Sequence, residues 1–289
     1  MKKLSQLLNL SVTPKEVLLN KIKTDKLGLI AGWGEFPQLV AKQAREQGIE
    51  VVAIAFSEET GKIIEKNVDK VYWISLGQLG KIIKIFKQEN IKQAVMAGLI
   101  KHKKLFSNLK LDILAITLLA KLKDKRADSI LRAVADTLAK AGIELISALP
   151  LLTDYLPSQG LLTNTTLKKK EIEDIKFGYH IAKHIAAEDI GQTVVVKNGA
   201  VIAVEAMEGT DACILRSSKY IKSGAVVVKV IKPKQDLRFD TPVIGPKTIT
   251  NLIRIRAGVL AFDTQATLML HKQEIIKQAN QAKISLVAV

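Results

Sequence analysis

Three short stretches of this chain carry side chains suited to phosphate chemistry. The first is Lys229 to Lys247, KVIKPKQDLRFDTPVIGPK, in which five cations surround two acids and prolines and a glycine stiffen the backbone. Cations there complement phosphate oxygens, and a carboxylate among them can hold a metal or orient water. Asp240 stands between Phe239 and Thr241-Pro242 rather than in a charge run, which suits a placed side chain, and a solvated basic loop is the other reading. The second is VEAMEGTD, 204–211, where Glu205, Glu208 and Asp211 lie around a sharp-turning Gly209 beside the Thr210 hydroxyl. Oxygen-rich loops of this kind suit Mg²⁺, which is often held by one or two carboxylates together with substrate phosphate. The same residues also read as an ordinary helix start, with Thr210 or Asp211 as its cap. The third is Gly32-Trp33-Gly34, after an apolar run and before Pro37. Glycines there let backbone N–H groups approach a phosphate, yet Pro37 takes the place of the third glycine of a dinucleotide fingerprint, so a tight turn remains open.

Other chemistries find no support. The chain has no G-x-x-x-x-G-K-[ST] loop, no G-x-S-x-G elbow and no H-E-x-x-H. His180 and His184 share a helical spacing of four, but Ile181 follows His180 where a metalloprotease has glutamate. Glu58 lies where a ribose-binding acid could sit, but beside Glu59 it reads first as a solvated loop acid. Cys213 has no base beside it and, as the single cysteine, excludes an internal disulfide framework.

The elements that must hold these stretches form an α/β pattern. Apolar runs at Leu27–Ile30, Ile49–Phe56, Val71–Ser75 and Ala94–Ala97 are strands buried on both faces, with helices expected at 37–47, 79–89, 109–123 and 127–141. With Glu144–Ala148 they predict a Rossmann-like parallel sheet over 26–152, preceded by an N-terminal extension, 1–25. Pro150, Pro157 and Ser158-Gln159-Gly160 mark a connection to a second, mixed and more antiparallel α/β domain, 153–289, expected to be catalytic. Its clearest local signal is Asn198-Gly199 between Thr193–Lys197 and Ala200–Glu205, a type I′ hairpin.

Composition then limits the partners. The 289 residues carry a formal charge of +16, with 48% apolar and only 4% aromatic residues. The apolar share supports a sizeable core, and the aromatic share leaves little for stacking single-stranded nucleic acid. The excess is local: +6 falls in 101–126 and +5 in 219–247, while 127–218 is net −3. Within the first block, Leu109, Ile113, Ile116 and Ala120 lie on one side of a helix, with Leu111, Leu114 and Leu118 on another. Such a helix suits anionic lipid or acyl chains, and equally a core helix with snorkelling lysines. The longest uncharged stretch, Tyr155–Leu167, is polar and has 13 residues, too short to span a bilayer. No signal peptide is visible, so a cytoplasmic protein is expected.

LGLIAGWGEFP (27–37), LGQLGKIIKIFK (76–87), VMAGLIKHKKLF (95–106), RADSILRAVADTLAKAGIEL (126–145), DIGQTVVVKNGAVIAVEAMEGTDACILR (189–216), KPKQDLRFDTPVIGPKTI (232–249) and AGVLAFDTQATLML (257–270) occur in this order. Together they resemble the Rossmann-like family of UDP-2,3-diacylglucosamine pyrophosphatases of lipid A biosynthesis, from about 26 to 289. The calcineurin-like enzymes of the same reaction use Asp-x-His and Gly-Asn-His, absent here. The resemblance implies two α/β domains and hydrolysis of a lipid-linked UDP-sugar to UMP and lipid X. It also implies a divalent cation, Mg²⁺ or Mn²⁺, and makes Asp240 of Asp-x-Pro-x-x-Gly the essential carboxylate. Glu208 and Asp211 would support the metal, and Gly32, Gly34, Gly98, Thr210, Lys232 and Lys234 would contact substrate. Ala127 departs from the family's Gly-Asp-Asp-x-[Leu/Ile]-Leu-Arg, of which Asp128 and Arg132 remain. A cytoplasmic enzyme touching the inner membrane transiently, compatible with a homodimer and without nucleic acid, is the expectation. The alternatives are a nucleotide-dependent oxidoreductase or methyltransferase using the glycine loop, and a basic adaptor for nucleic acid or membrane.

Overall fold

A computed structural model describes residues 22–100, 110–122, 124, 126–233, 235–264 and 266–289. The expected extension therefore lies almost entirely outside the described residues, as do Lys234 and the basic run 101–109. Two units divide the described residues: the first gathers those up to Leu152 together with Asp236–Asp240, the second Thr153–Gln235 and Thr241–Val289.

In the first unit, β1 (Lys26–Ala31), β2 (Glu50–Phe56), β3 (Lys70–Ile74), β4 (Gln93–Ala97) and β5 (Glu144–Ile146) form one sheet in the order β3-β2-β1-β4-β5. Every pairing is parallel. Their unbroken apolar runs suit burial beneath helices on both faces. α1 (Phe36–Glu46), α2 (Leu79–Gln88) and α4 (Ala127–Lys140) cover the sheet, and α3 (Ile113–Lys121) lies beside α2 and α4. Pro37 sits in the first turn of α1, where its missing N–H costs nothing, and Gly48 follows the helix at φ +78°. This is the expected Rossmann-like order, with its switch point between β1 and β4. At the start of β1, buried Glu89 gathers Lys26, Lys70 and Tyr72.

The second unit is the expected mixed α/β layer. Six strands run in the order β6-β13-β11-β9-β7-β8: β6 (Gly160–Leu161), β7 (Thr193–Lys197), β8 (Ala200–Val204), β9 (Val226–Lys229), β11 (Val259–Phe262) and β13 (Ser285–Ala288). β9, β11 and β13 are parallel; β6, β7 and β8 each pair antiparallel. A separate parallel pair joins β10 (Val243–Ile244) to β12 (Leu268–Met269). Valines of odd and even position face opposite sides. Val194, Val196, Val226 and Val228 pack on α5 (Lys169–Ala187) through Ile175, Tyr179 and Ala182. Val195, Val227, Leu260 and Leu286 share a second cluster with α6 (Thr210–Ser217), α7 (Pro246–Arg254) and α8 (Lys272–Gln281).

The hairpin turn holds Asn198 at φ +50° and Gly199 at φ +74°, as type I′ requires. Buried Asp174 of α5 accepts both of their N–H groups, at 2.9 and 2.7 Å. Two expectations change. The proline-marked connection is not bare: it makes single 3₁₀ turns at Leu149–Leu151 and Thr153–Tyr155, then adds edge strand β6. Gly209, at φ +81°, is the N-cap of α6 with no side-chain cap bond, so Thr210 and Asp211 belong to its first turn. Among the described residues, no helix is long and apolar enough to cross a membrane.

Candidate functional site

In the first unit the glycine loop lies at the carboxyl ends of β1 and β4, where open α/β sheets bind ligands. The Gly32 N–H donates to Ala97 O at 2.8 Å, and Trp33 and Leu99 exchange backbone bonds of 2.8 and 3.0 Å. A Cβ on Gly32 would meet Leu99 O at 2.8 Å; one on Gly98, at φ +91°, would meet Trp33 O at 2.8 Å. The two loops touch because both positions lack a side chain. Gly34 has open space beside it. Glu58 accepts the Leu76 N–H at 3.2 Å, so it ties the loop after β2 to the loop after β3.

The same unit includes the Asp240 stretch. Arg238 grips Asp236 through two bonds, 2.8 and 2.6 Å, and the Asp240 N–H donates to Asp236 O at 3.1 Å. Phe239 packs into the apolar cluster containing Leu138 of α4 and Leu145 of β5. Burial pushes the Asp236 carboxyl up, but the Arg238 fork, aided by the charge of Arg132, holds it below its ordinary value. Arg132 is a residue of the RADSILR motif, so two separate family stretches meet here electrostatically.

The second unit places the acid loop at the carboxyl edge of its sheet. Thr210 Oγ1 donates to buried Glu205 at 3.0 Å and accepts from the buried Lys229 ammonium at 3.2 Å. Thr193 Oγ1 lies 3.2 Å from the same hydroxyl. Gly191 makes room, since a Cβ there would fall 2.1 Å from Glu205 O. Glu208 pairs with Arg216 at 2.7 Å and accepts the Ala206 N–H at 3.1 Å; the Arg216 bond holds its carboxyl below the ordinary range. Asp211 pairs with exposed Lys247 at 2.9 Å.

At the root of the basic loop, one buried carboxylate organises the backbone. Asp263 accepts the Ile231 N–H at 2.6 Å, Lys183 Nζ at 2.8 Å and Tyr179 OH at 2.7 Å. Lys183 also donates to Ile231 O at 3.0 Å, so both backbone groups of Ile231 are clamped. Burial, then the Asp263 charge, push the Tyr179 phenol upward. Beyond the clamp, Lys232 pairs with Asp189 and donates its N–H to Gln235 at 2.9 Å.

Of the residues expected to act, Gly32 and Gly98 meet in the first unit, and Thr210 joins a buried polar cluster in the second. Lys232 and Glu208 are engaged in internal ion pairs. Among the described residues, no three His, Cys, Asp or Glu side chains converge as a ready-made metal cage. The acids on offer are carboxylates, and Asp211's partner is an exposed lysine whose ion pair exchanges easily. That fits a cation held by one or two carboxylates and substrate phosphate. Cys213 is buried, which pushes its thiol up to about 12 and makes it a core residue. Lys229 was counted among the five cations of its stretch, whereas Thr193, Asp263, Lys183 and Tyr179 were not singled out by the sequence. Their faint signals were an acid directly after the apolar run Val259–Phe262 and a Tyr179-x-x-x-Lys183 spacing on one helix face.

The family models match almost end to end: LpxI N-terminal domain over residues 26–155 and LpxI C-terminal domain over 158–287. A relative from Caulobacter vibrioides, named UDP-2,3-diacylglucosamine pyrophosphatase LpxI, is 28% identical over 275 residues, 91% of this chain and 97% of that protein. Among solved structures, the biotin carboxylase domain of Hydrogenobacter thermophilus 2-oxoglutarate carboxylase is 18% identical with TM-score 0.28, covering 62% of this chain and 36% of that one. Rhizobium etli pyruvate carboxylase is 14% identical with TM-score 0.29, covering 59% and 15%. This chain thus spans about a third or less of those structures, and scores so low say nothing of its fold or activity. The two domain models, adjoining and in order, show that the chain belongs to the LpxI family.

Proposed function

We propose that this protein hydrolyses the pyrophosphate of UDP-2,3-diacylglucosamine to UMP and 2,3-diacylglucosamine 1-phosphate. The observation that carries the reading is the relative of that name, aligned over 91% of this chain. Water adds to one phosphorus, the bridging P–O bond breaks, and the two phosphate products separate. In the first unit Asp240 would orient the water or hold a divalent cation, Mg²⁺ or Mn²⁺, and in the second unit Asp211 would offer a carboxylate to such a cation. When bound, that cation neutralises charge developing on the phosphate oxygens. Glu208, already held by Arg216, keeps the acid loop in shape. Thr210, its hydroxyl engaged by Glu205 and Lys229, acts through the N-terminal turn of α6, which attracts phosphate. Lys232 and Lys234 add positive charge; in the first unit Gly34 gives substrate close access to backbone, and Gly32 and Gly98 act by letting the loops beside it touch. The protein works in the cytoplasm and meets its substrate at the inner-membrane surface.

Incubation with UDP-2,3-diacylglucosamine and Mg²⁺, scored for UMP and lipid X, tests the reaction; absence of both products overturns it. Asp240→Asn is expected to lower turnover by at least about 10²–10³-fold, the range for loss of a key transition-state contact, with unchanged thermal stability. Near-normal turnover would remove Asp240 from the assignment. EDTA is expected to abolish turnover and Mg²⁺ or Mn²⁺ to restore it.

A further inference from the structure

We infer that the exposed face of α3 seats this protein on an anionic lipid bilayer, an inference that rests on the reading of its substrate as a membrane-borne lipid. Ile113, Ile116 and Ala120 form one stripe at helical spacing and face solvent, with Ile113 84% and Ile116 53% exposed. Leu114 widens the stripe at 36% exposure, and Ala115 alone of this helix is buried. A helix of a water-soluble domain ordinarily turns such a stripe into its core, so this one lacks its complement.

Charge selects what the complement is. Lys110 and Lys121 are exposed at the two ends of the stripe. The acid that precedes the helix is turned inward: Asp112 caps it by accepting the Ala115 N–H at 2.8 Å and also accepts the Gly80 N–H of α2 at 2.6 Å. Asp124, the next acid, is paired with Arg126 at 3.3 Å. Apart from Thr117, whose hydroxyl donates back to Ile113 O at 2.7 Å, the face presented to solvent is apolar between cations, and the surrounding sequence, 101–126, has net charge +6. Apolar side chains entering the acyl boundary, with lysines at headgroup level, match an anionic bilayer on both counts. A second copy of the chain would bring lysine against lysine, and an apolar protein groove would answer the stripe without the charge.

The test is co-sedimentation of the full chain with vesicles of phosphatidylcholine alone or mixed with phosphatidylglycerol. Binding is expected to the mixed vesicles, weakened by salt. Ile113→Asp and Ile116→Asp are each expected to lower it by about tenfold or more, and Lys110→Glu with Lys121→Glu to remove its dependence on anionic lipid. Melting temperature and hydrolysis of detergent-dispersed substrate should stay as in the wild type. Equal vesicle binding by the isoleucine variants, or none by the wild type, overturns the inference even where hydrolysis is intact. A dimer in solution that Ile113→Asp dissociates, without vesicle binding, overturns it too. Loss of hydrolysis in the wild type, with vesicle binding intact, would count against the reaction and not against the surface.

Discussion

Gly32 and Gly98 stand against one another, each occupying with its backbone the space that a Cβ on the other would need. Their loops leave adjacent parallel strands, so this contact sets how closely the two sides of the switch point approach.

Gly98→Ala adds a side chain at φ +91° and within 2.8 Å of Trp33 O and of the Pro37 ring. A strained left-handed residue costs about 1–3 kcal/mol before the clash is counted. The melting temperature should fall, and KM for the UDP-lipid should rise as the loops part. Thermal denaturation and initial-rate kinetics check both; unchanged values would show the contact is dispensable.

The Thr210 hydroxyl separates two buried groups, Glu205 and Lys229. Thr210→Val removes one hydrogen bond from each and should cost about 1–3 kcal/mol, while Thr210→Ser should retain most of the stability. Urea unfolding distinguishes them. Equal loss in the two variants would mean that the methyl, and not the hydroxyl, matters.

Asp263→Asn removes the charge that answers Lys183 and weakens the grip on Ile231. Breaking a largely buried pair from one side costs roughly 2–4 kcal/mol. Tyr179→Phe, which removes one neutral partner, should cost about 1 kcal/mol. Chemical denaturation of both variants tests that order.

Lys70, then Tyr72, with Lys26 weaker, hold the Glu89 carboxyl down from 4.5 to about 2. The folded value lies below the unfolded one, so this group's stabilisation is full above the unfolded carboxylate range. It fades as pH falls through that range towards about 2. Glu89→Gln should therefore be less stable than the wild type at neutral pH, with the gap closing on acidification. Urea midpoints between neutral and strongly acid pH measure it; a constant gap would contradict the network.

Much of the frame was legible because its signals are local. β1, β2 and β4 declare themselves as unbroken apolar runs, Asn198-Gly199 imposes its turn, and Pro37 and Gly48 bracket α1. The glycine loop was visible, but its partner was not: nothing in Ala97-Gly98-Leu99 announces that it faces Trp33, which only strand order decides. Lys229 and Thr193 come together across paired antiparallel strands, and Asp263 reaches Lys183 from a strand end to a helix 80 residues away in sequence. Such clusters have no periodicity to read. β10 and β12, two residues each, carry too few side chains to show alternation. Gly209 displaced Thr210 as the cap of α6 because a positive φ was needed there, a backbone demand that outranks side-chain preference.

The membership of Asp236–Asp240 in the first unit has a consequence for biogenesis. During synthesis, residues through Leu152 emerge well before the stretch that completes their unit, and Thr153–Gln235 is made in between. The first unit finishes assembling only after most of the second has left the ribosome. A chain stopped at the boundary between the two family domains would lack Arg238, Phe239 and Asp240, so Arg132 and the Leu138 cluster would await a segment that never comes.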